Sequence, residues 1–296
     1  MALRTVITER QRRLGAELKK LRERSGMTIA EGGGAIGMGR VHLTHVEGGK
    51  TAIASERIRK LCQAYGCTSS TYVDALVDLS ESSGKGWWTE YRKVMPQEAL
   101  DLAELESRAT LISSYGTLLI PGLLQTESYL RALYRTGRPD ASAEEIEDLV
   151  RFRKARQAIL TADTSVRFQA VIHESALRMC VGPSHVMRGQ ITHLLQVAKS
   201  PHVSVQVLPY DAGVAIPWFS APFHILGRGI PGLETVIAEH PSANLRLGDS
   251  ASIAQYQTTF EGLSKAALLP IVADGSPELH ERRDSWGLIQ HILYTH

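Results

Sequence analysis

Apolar residues recur three or four positions apart through the first eighty residues. Leu14, Leu18 and Leu21 repeat at i, i+4, i+7 among basic residues, and Leu43 and Val46 at i, i+3. Ile58, Leu61, Cys62 and Tyr65, then Tyr72, Val73, Leu76 and Val77, keep the same helical spacing. Thr28 with Glu31 three residues on spells a capping box, so a helix is predicted from about Ile29 to Ile36. Gly37-Met38-Gly39 then turns the chain, and a second helix runs from Arg40 to Glu47, where Gly48-Gly49 ends it.

The rest of the chain changes texture. Residues 81–86 are small and polar and read as a linker between a first domain, 1–80, and a second, 87–296. Trp87 and Trp88 read as a cap on that second domain. An acidic helix is predicted from Gln97 to about Ser113, with Leu102, Leu105, Ala109 and Ile112 on one face. Pro121 opens another, carrying Leu124, Tyr129 and Leu133 inward. Ser142 with Glu145 caps a helix to about Leu160. A period of two then appears in Val166, Phe168, Ala170 and Ile172, and again in Val203, Val205 and Val207. "APFHIL" and "ETVIAE" add two short strands. Helices lie between the first two strands, from Asp249, and from Ser276-Pro277 through Trp286, Ile289 and Ile292. The fold class is α+β: a helical domain, then an α/β domain with a small sheet flanked by helices.

Composition narrows the function classes. Hydrophobic residues make 43% and charged residues 22% of 296, as in a globular protein. No apolar run reaches the roughly 20 residues of a membrane span, and the first residues lack a secretory h-region, so the expectation is a cytoplasmic protein with no membrane partner. Cys62, Cys67 and Cys180 read as free thiols; Cys62-x4-Cys67 has no second ligand pair for zinc. Charge is uneven. Residues 1–60 hold 13 Lys/Arg against 6 Asp/Glu, while the remainder hold 20 against 25. A basic first domain on an acidic body points to a polyanion partner for that domain alone.

Gly32, Gly34 and Gly37 match G-x-G-x-x-G, but the segment before them is an amphipathic helix and no βαβ unit follows, so no dinucleotide cofactor is expected. Two short helices joined by a glycine turn are a helix-turn-helix, whose second helix enters the DNA major groove. "LGAELKKLRERSGMT" followed by "IGMGRVHLTHVEGGK" resembles the lambda-repressor-like (XRE) family over about residues 9–79. The resemblance implies a five-helix DNA-binding domain with Arg40, Val41, Thr44 and His45 reading bases. Arg40 suits a guanine edge and Val41 a thymine methyl. Lys50, Arg57 and Arg59 are placed for phosphates. The departure is Gly32-Gly33-Gly34. Three helical glycines cost about 2–3 kcal/mol relative to alanine. Gly33 fits a close helix crossing, Gly32 fills no core space, and Gly34 faces solvent.

"GWWTEYRKVMP", "LESRATLISSYGTLLIPGLLQTESYLRAL", "VIHESALRMCVG" and "VMRGQITHLLQVAKSPHVSVQVLPYDAGV" resemble the domain of unknown function that follows the helix-turn-helix in actinobacterial WhiJ-like, antitoxin-like regulators. The two domains together are read as a transcriptional regulator, expected as a homodimer on double-stranded DNA. Its second domain would receive a signal from a small acidic protein encoded nearby or from a small-molecule effector. A degenerate helix-turn-helix serving as an interaction module is the alternative. His173-Glu174, Asp211, His224 and Glu239-His240 are the polar candidates for chemistry. None falls in a zinc-helix or nucleophile-elbow pattern, so neither catalysis nor a metal is expected. The basic run Arg151, Arg153, Lys154 and Arg156 reads as pairing with the domain's own carboxylates.

Overall fold

The computed structural model describes residue 4 and residues 6–162, 166–212, 221–240, 244–272 and 283–296. The chain divides into two compact units, Met1–Leu105 and Glu106–His296. Residues 87–105 group with the helical unit, so the division falls after the expected linker rather than in it.

The first unit is helical, with α1 Glu9–Arg24, α2 Ile29–Ala35, α3 Arg40–Glu47, α4 Ser55–Ala64 and α5 Ser70–Glu81, then a 3-10 turn Trp87–Tyr91 and α6 Gln97–Glu106. The expected capping box at Thr28 is present. The Thr28 side chain accepts from the Glu31 amide while the Glu31 carboxylate accepts from the Thr28 amide. Those bonds hold the Glu31 carboxyl below its ordinary range. Thr8 and Gln11 repeat the box on α1. Leu18, Leu43, Ile58, Leu61 and Leu76 are fully buried and form the centre of the core. Trp88 is buried as well. Arg10 ties the later segment to α1: its Nε donates to Glu104 at 2.7 Å and its Nη1 to the Leu79 carbonyl at 2.6 Å.

The second unit is built on a six-stranded mixed sheet, β1 Leu111–Gly116, β2 Arg167–His173, β3 Val203–Leu208, β4 Phe223–Gly227, β5 Thr235–Ala238 and β6 Leu245–Leu247, in the order β3-β2-β1-β4-β5-β6. β1 and β2 run parallel, as do β2 and β3, while β4, β5 and β6 continue antiparallel from β1. Crossovers supply α7 Glu127–Gly137, α8 Ala143–Gln157, α9 Ile159–Ala162, α10 Glu174–Arg178 and α11 Ser184–Val197; α12 Ser250–Ala266 and α13 Ser285–Thr295 follow the sheet. One face packs Tyr115, Val171, Phe223, Ile225 and Val236 against Ile253, Phe260 and Leu263 of α12.

Two expectations are corrected here. The acidic helix stops at Glu106, and Leu111–Gly116 is the sheet's middle strand, with Ile112 through Gly116 all buried. A strand covered on both faces shows no period of two. Pro121 opens a single 3-10 turn, Gly122–Leu124, and the helix starts afresh at Glu127 with Thr126 as its cap. Ser276-Pro277 lies outside the described residues; α13 begins at Ser285, capped by Asp284. Among the described residues no helix is long and apolar enough to cross a membrane.

Candidate nucleic-acid interface

Arg40, Val41 and Thr44 stand exposed along one side of α3, with His45 half-buried beside them. Leu43, Val46 and Glu47 are buried on the other side. Val41 is 69% exposed, an apolar side chain that the described residues leave in water. The Thr44 hydroxyl donates back to the Arg40 carbonyl at 3.0 Å, which leaves its oxygen lone pairs facing outward as acceptors.

Sequence-local features place this helix. Gly37 takes φ +63, which L-residues adopt only with strain, and lets the chain reverse between α2 and α3. The Met38 amide then donates to the Gly33 carbonyl at 2.8 Å, and a methyl at Gly33 would stand 2.4 Å from the Met38 carbonyl. Gly33 is thus required by a close approach, but of the Met38 carbonyl in the turn and not of a crossing helix as expected. Distant partners fix the helix from its buried side. Arg22 of α1 grips Glu47 with two bonds, Nε to Oε1 at 2.7 Å and Nη2 to Oε2 at 3.0 Å, while its Nη1 donates to the Met27 carbonyl. A methyl at Gly15 would come within 2.4 Å of the Glu47 carbonyl, so α1 and the end of α3 approach backbone to backbone.

The structure brings Arg40, Val41, Thr44 and His45 onto one helix, three of them on its open face. Lys50 is exposed just past its end, with its amide donating to the His45 carbonyl at 2.9 Å. Arg57 is exposed on α4; Arg59 pairs with Asp74 at 2.7 Å, both side chains more than half exposed. Reading the sequence did not find Arg4. Its amide donates to the Lys50 carbonyl at 3.0 Å and its guanidinium to the Gly49 carbonyl at 2.8 Å, so a cation closes the C-terminal end of α3. Partial burial, then the nearby charge of Arg10, lowers its pKa. No local pattern announces a contact that spans forty-five residues.

In the second unit the polar candidates fall into structural roles and one open cleft. His173 caps α10, its Nδ1 accepting from the Ser175 amide at 3.2 Å, and Tyr210 stands edge-on to its ring. Burial lowers its pKa, partly opposed by Glu174. Glu174 accepts from Arg178 at 2.7 Å, and Asp211 pairs with Arg283. His224 bridges Ser114 at 2.9 Å and Glu239 at 3.1 Å. The serine–imidazole–carboxylate order has the look of a nucleophile chain, but Ser114 is wholly buried in the middle strand. A reacting carbonyl could not approach its oxygen. Of the basic run on α8, Arg156 forks buried Glu106 at 2.6 and 2.8 Å, Arg151 pairs with Asp148, and Arg153 donates to the Tyr134 hydroxyl at 2.9 Å. Among the described residues no group of three or more His, Cys, Asp or Glu is placed to hold a metal.

Two family models match the chain. Residues 13–76 match a helix-turn-helix domain and residues 99–272 match a domain of unknown function (DUF5753). No curated protein and no solved structure matches it.

Proposed function

This chain belongs to the DUF5753 family and carries a helix-turn-helix domain ahead of that family's domain; from this premise we propose that it is a sequence-specific DNA-binding transcriptional regulator, acting as a homodimer. The observation that carries the reading is the open face of α3: a guanidinium, an apolar methyl pair and a hydroxyl side by side, on a helix clamped from behind by Arg22 and Glu47. Those three groups suit a guanine edge, a thymine methyl and a base amino group that donates to the Thr44 oxygen in the major groove. Lys50 and Arg57 supply phosphate contacts at its margins. Two-fold symmetry would present two such helices about one helical turn of DNA apart, roughly 34 Å.

The second domain is the signal-receiving half in this reading, answering either a small acidic protein or a small molecule, as in antitoxin-like, WhiJ-like regulators. No catalytic step is assigned to it. The small-molecule version is favoured by the open cleft at the end of β1, since effector sites are concave, largely apolar and furnished with a few convergent polar groups.

The test is a titration of the full chain against duplexes tiling the DNA upstream of its own reading frame. Saturable binding to one fragment, surviving excess unrelated duplex, is the expected result. Binding to no fragment even at low salt would overturn the regulator reading in favour of an interaction module.

A further inference from the structure

The cleft of the second unit has a chemistry of its own. It opens where β1 ends, β4 begins and β5 ends, with a volume of about 420 Å³. That size lies within the range of small-ligand sites, roughly 300–1,000 Å³. The sheet order changes direction at β1, and ligands of open α/β sheets collect outside strand ends at such a point.

Three polar groups reach it with unmet capacity. The Gln125 side chain is 4% exposed, and its Nε2 donates to the Ile120 carbonyl at 2.7 Å, which sets the amide's orientation. Its Oε1 is buried with no hydrogen-bond partner among the described residues. An orphaned buried acceptor destabilises the fold unless something donates to it. Arg153 donates its Nε to the Tyr134 hydroxyl; neither terminal nitrogen has a hydrogen-bond partner among the described residues, although its charge already helps to hold the Glu239 carboxyl down. Its Nη1 lies so close to Gly122 that a methyl there would stand 2.4 Å away, so the glycine keeps room for the fork. Glu239 takes one bond from His224, and that bond is the main reason its carboxyl sits below the ordinary range. The remaining wall mixes the polar side chains of Thr117, His224, His240 and Asn244 with apolar ones. Leu118 and Leu119 are 55% and 39% exposed on the rim, and Leu133, Pro121 and Pro222 line the interior.

One cationic fork and one carboxylate balance. An anion would meet Glu239, and a cation would meet Arg153, so the site matches a ligand that carries both charges. We propose that this cleft binds a small zwitterion with an aliphatic side chain, an amino acid or dipeptide, its carboxylate on Arg153 and its ammonium on Gln125 Oε1 and Glu239. The inference deepens the effector half of the proposed function. It does not depend on DNA binding, and its test contains no DNA, so the two can fail separately.

The experiment is calorimetric titration of the full chain with L-leucine and with leucyl-leucine, followed by the carboxyl-capped dipeptide amide and by 4-methylpentanoate, which lacks the ammonium. Saturable binding of leucine or leucyl-leucine is expected, weakened at least about tenfold by capping either charge. Arg153→Gln should remove the preference for free carboxylate, and Gln125→Met, of similar volume, should remove the preference for the ammonium. Both variants are first melted without ligand. Where one melts early, the capped ligands on the unaltered chain carry the test alone. No saturation by either zwitterion up to about 10 mM, or equal binding of capped and free ligands, would overturn the proposal.

Discussion

A methyl group placed on Gly32 would stand 2.6 Å from the hydroxyl oxygen of Tyr65. The space that a glycine leaves beneath α2 is therefore filled from α4's C-terminal cap, and the soft glycine run is packed on one side. The tyrosine hydroxyl is itself buried without a hydrogen-bond partner among the described residues. Burial, then the charge of Glu47, pushes its pKa up to about 12. Gly34, two residues on, meets nothing within 4 Å. Gly34→Ala should stabilise the first unit by about 0.5–1 kcal/mol, and Gly32→Ala should destabilise it by about 1–3 kcal/mol through overpacking. In a Tyr65→Phe background the nearest neighbours of that methyl become Arg22 Cδ and Leu43 Cδ2 at 3.2 and 3.3 Å, so most of the cost should vanish. Denaturant melts of the unaltered chain, the three single variants and the Gly32→Ala/Tyr65→Phe double variant decide it; equal effects at 32 and 34 would contradict this packing.

Arg22 and Glu47 are both buried and joined by two bonds, so removing one partner strands the other. Glu47→Ala should cost about 3–5 kcal/mol. It should also release α3, and DNA affinity should fall under conditions where the unit remains folded. Hydrogen exchange of the α3 amides measures this directly. Unchanged protection would mean the helix is held by Leu43 and Val46 alone.

Arg40 and Lys50 should separate reading from positioning. Arg40→Ala should cost about 1–3 kcal/mol on the matched site and relax preference at one base pair. Lys50→Ala should weaken binding to all sequences alike and reduce the salt slope by about one counterion. Titrations on matched and mismatched duplexes at several salt concentrations distinguish them. A sequence-independent loss at Arg40 would place it on a phosphate.

Burial lowers the pKa of His173 and of His193, the latter helped by the charge of Lys154. The folded state thus binds these protons less readily than the unfolded chain. Their contribution to stability is complete above the ordinary imidazole value of about 6.5 and is lost as pH falls from there through the lowered values. The second unit should melt at lower temperature at pH 5 than at pH 7.5. Imidazole proton shifts followed by NMR should place both midpoints below that of free histidine; midpoints at or above it would refute the assignment.

Cys62 is buried with its thiol pushed up to about 11, first by burial and then by Cys67, whereas Cys180 is exposed. At pH 8 about a thousandth of Cys62 is thiolate. Iodoacetamide should label Cys180 first and reach Cys62 only in denaturant, as read by peptide mass. Early labelling of Cys62 would mean that the first unit opens far more readily than its packing implies.

The helix-turn-helix was legible because its signals are local: a capping box three residues wide, a glycine turn, and apolar spacing within eight residues. The clamp behind it was not, since Arg22 and Glu47 are twenty-five residues apart and Arg4 and Gly49 forty-five. The middle strand escaped for another reason. Leu102, Leu105, Ala109 and Ile112 keep helical spacing straight across the point where the helix ends. Ser113 and Ser114 then sit buried inside the strand, where a half-exposed strand would show alternation. β6 has only three residues and none buried, too little for any period to show. Gln125 gave no signal either, because an orphaned acceptor exists only once its neighbours are in place.

The position of β1 at the centre of its sheet also has a cost in time. Its partners are β2, beginning at Arg167, and β4, ending at Gly227, whereas every contact of the helical unit is complete once residue 105 has been made. At about 5–20 residues per second, synthesis leaves that strand without its second neighbour for on the order of ten seconds. Until β4 is made, the edge that β4 will cover offers unpaired amides and carbonyls to any passing strand. The DNA-reading half is thus positioned to mature early on the ribosome, while the long-range pairing of the other half makes it the slower and more aggregation-exposed part of the chain.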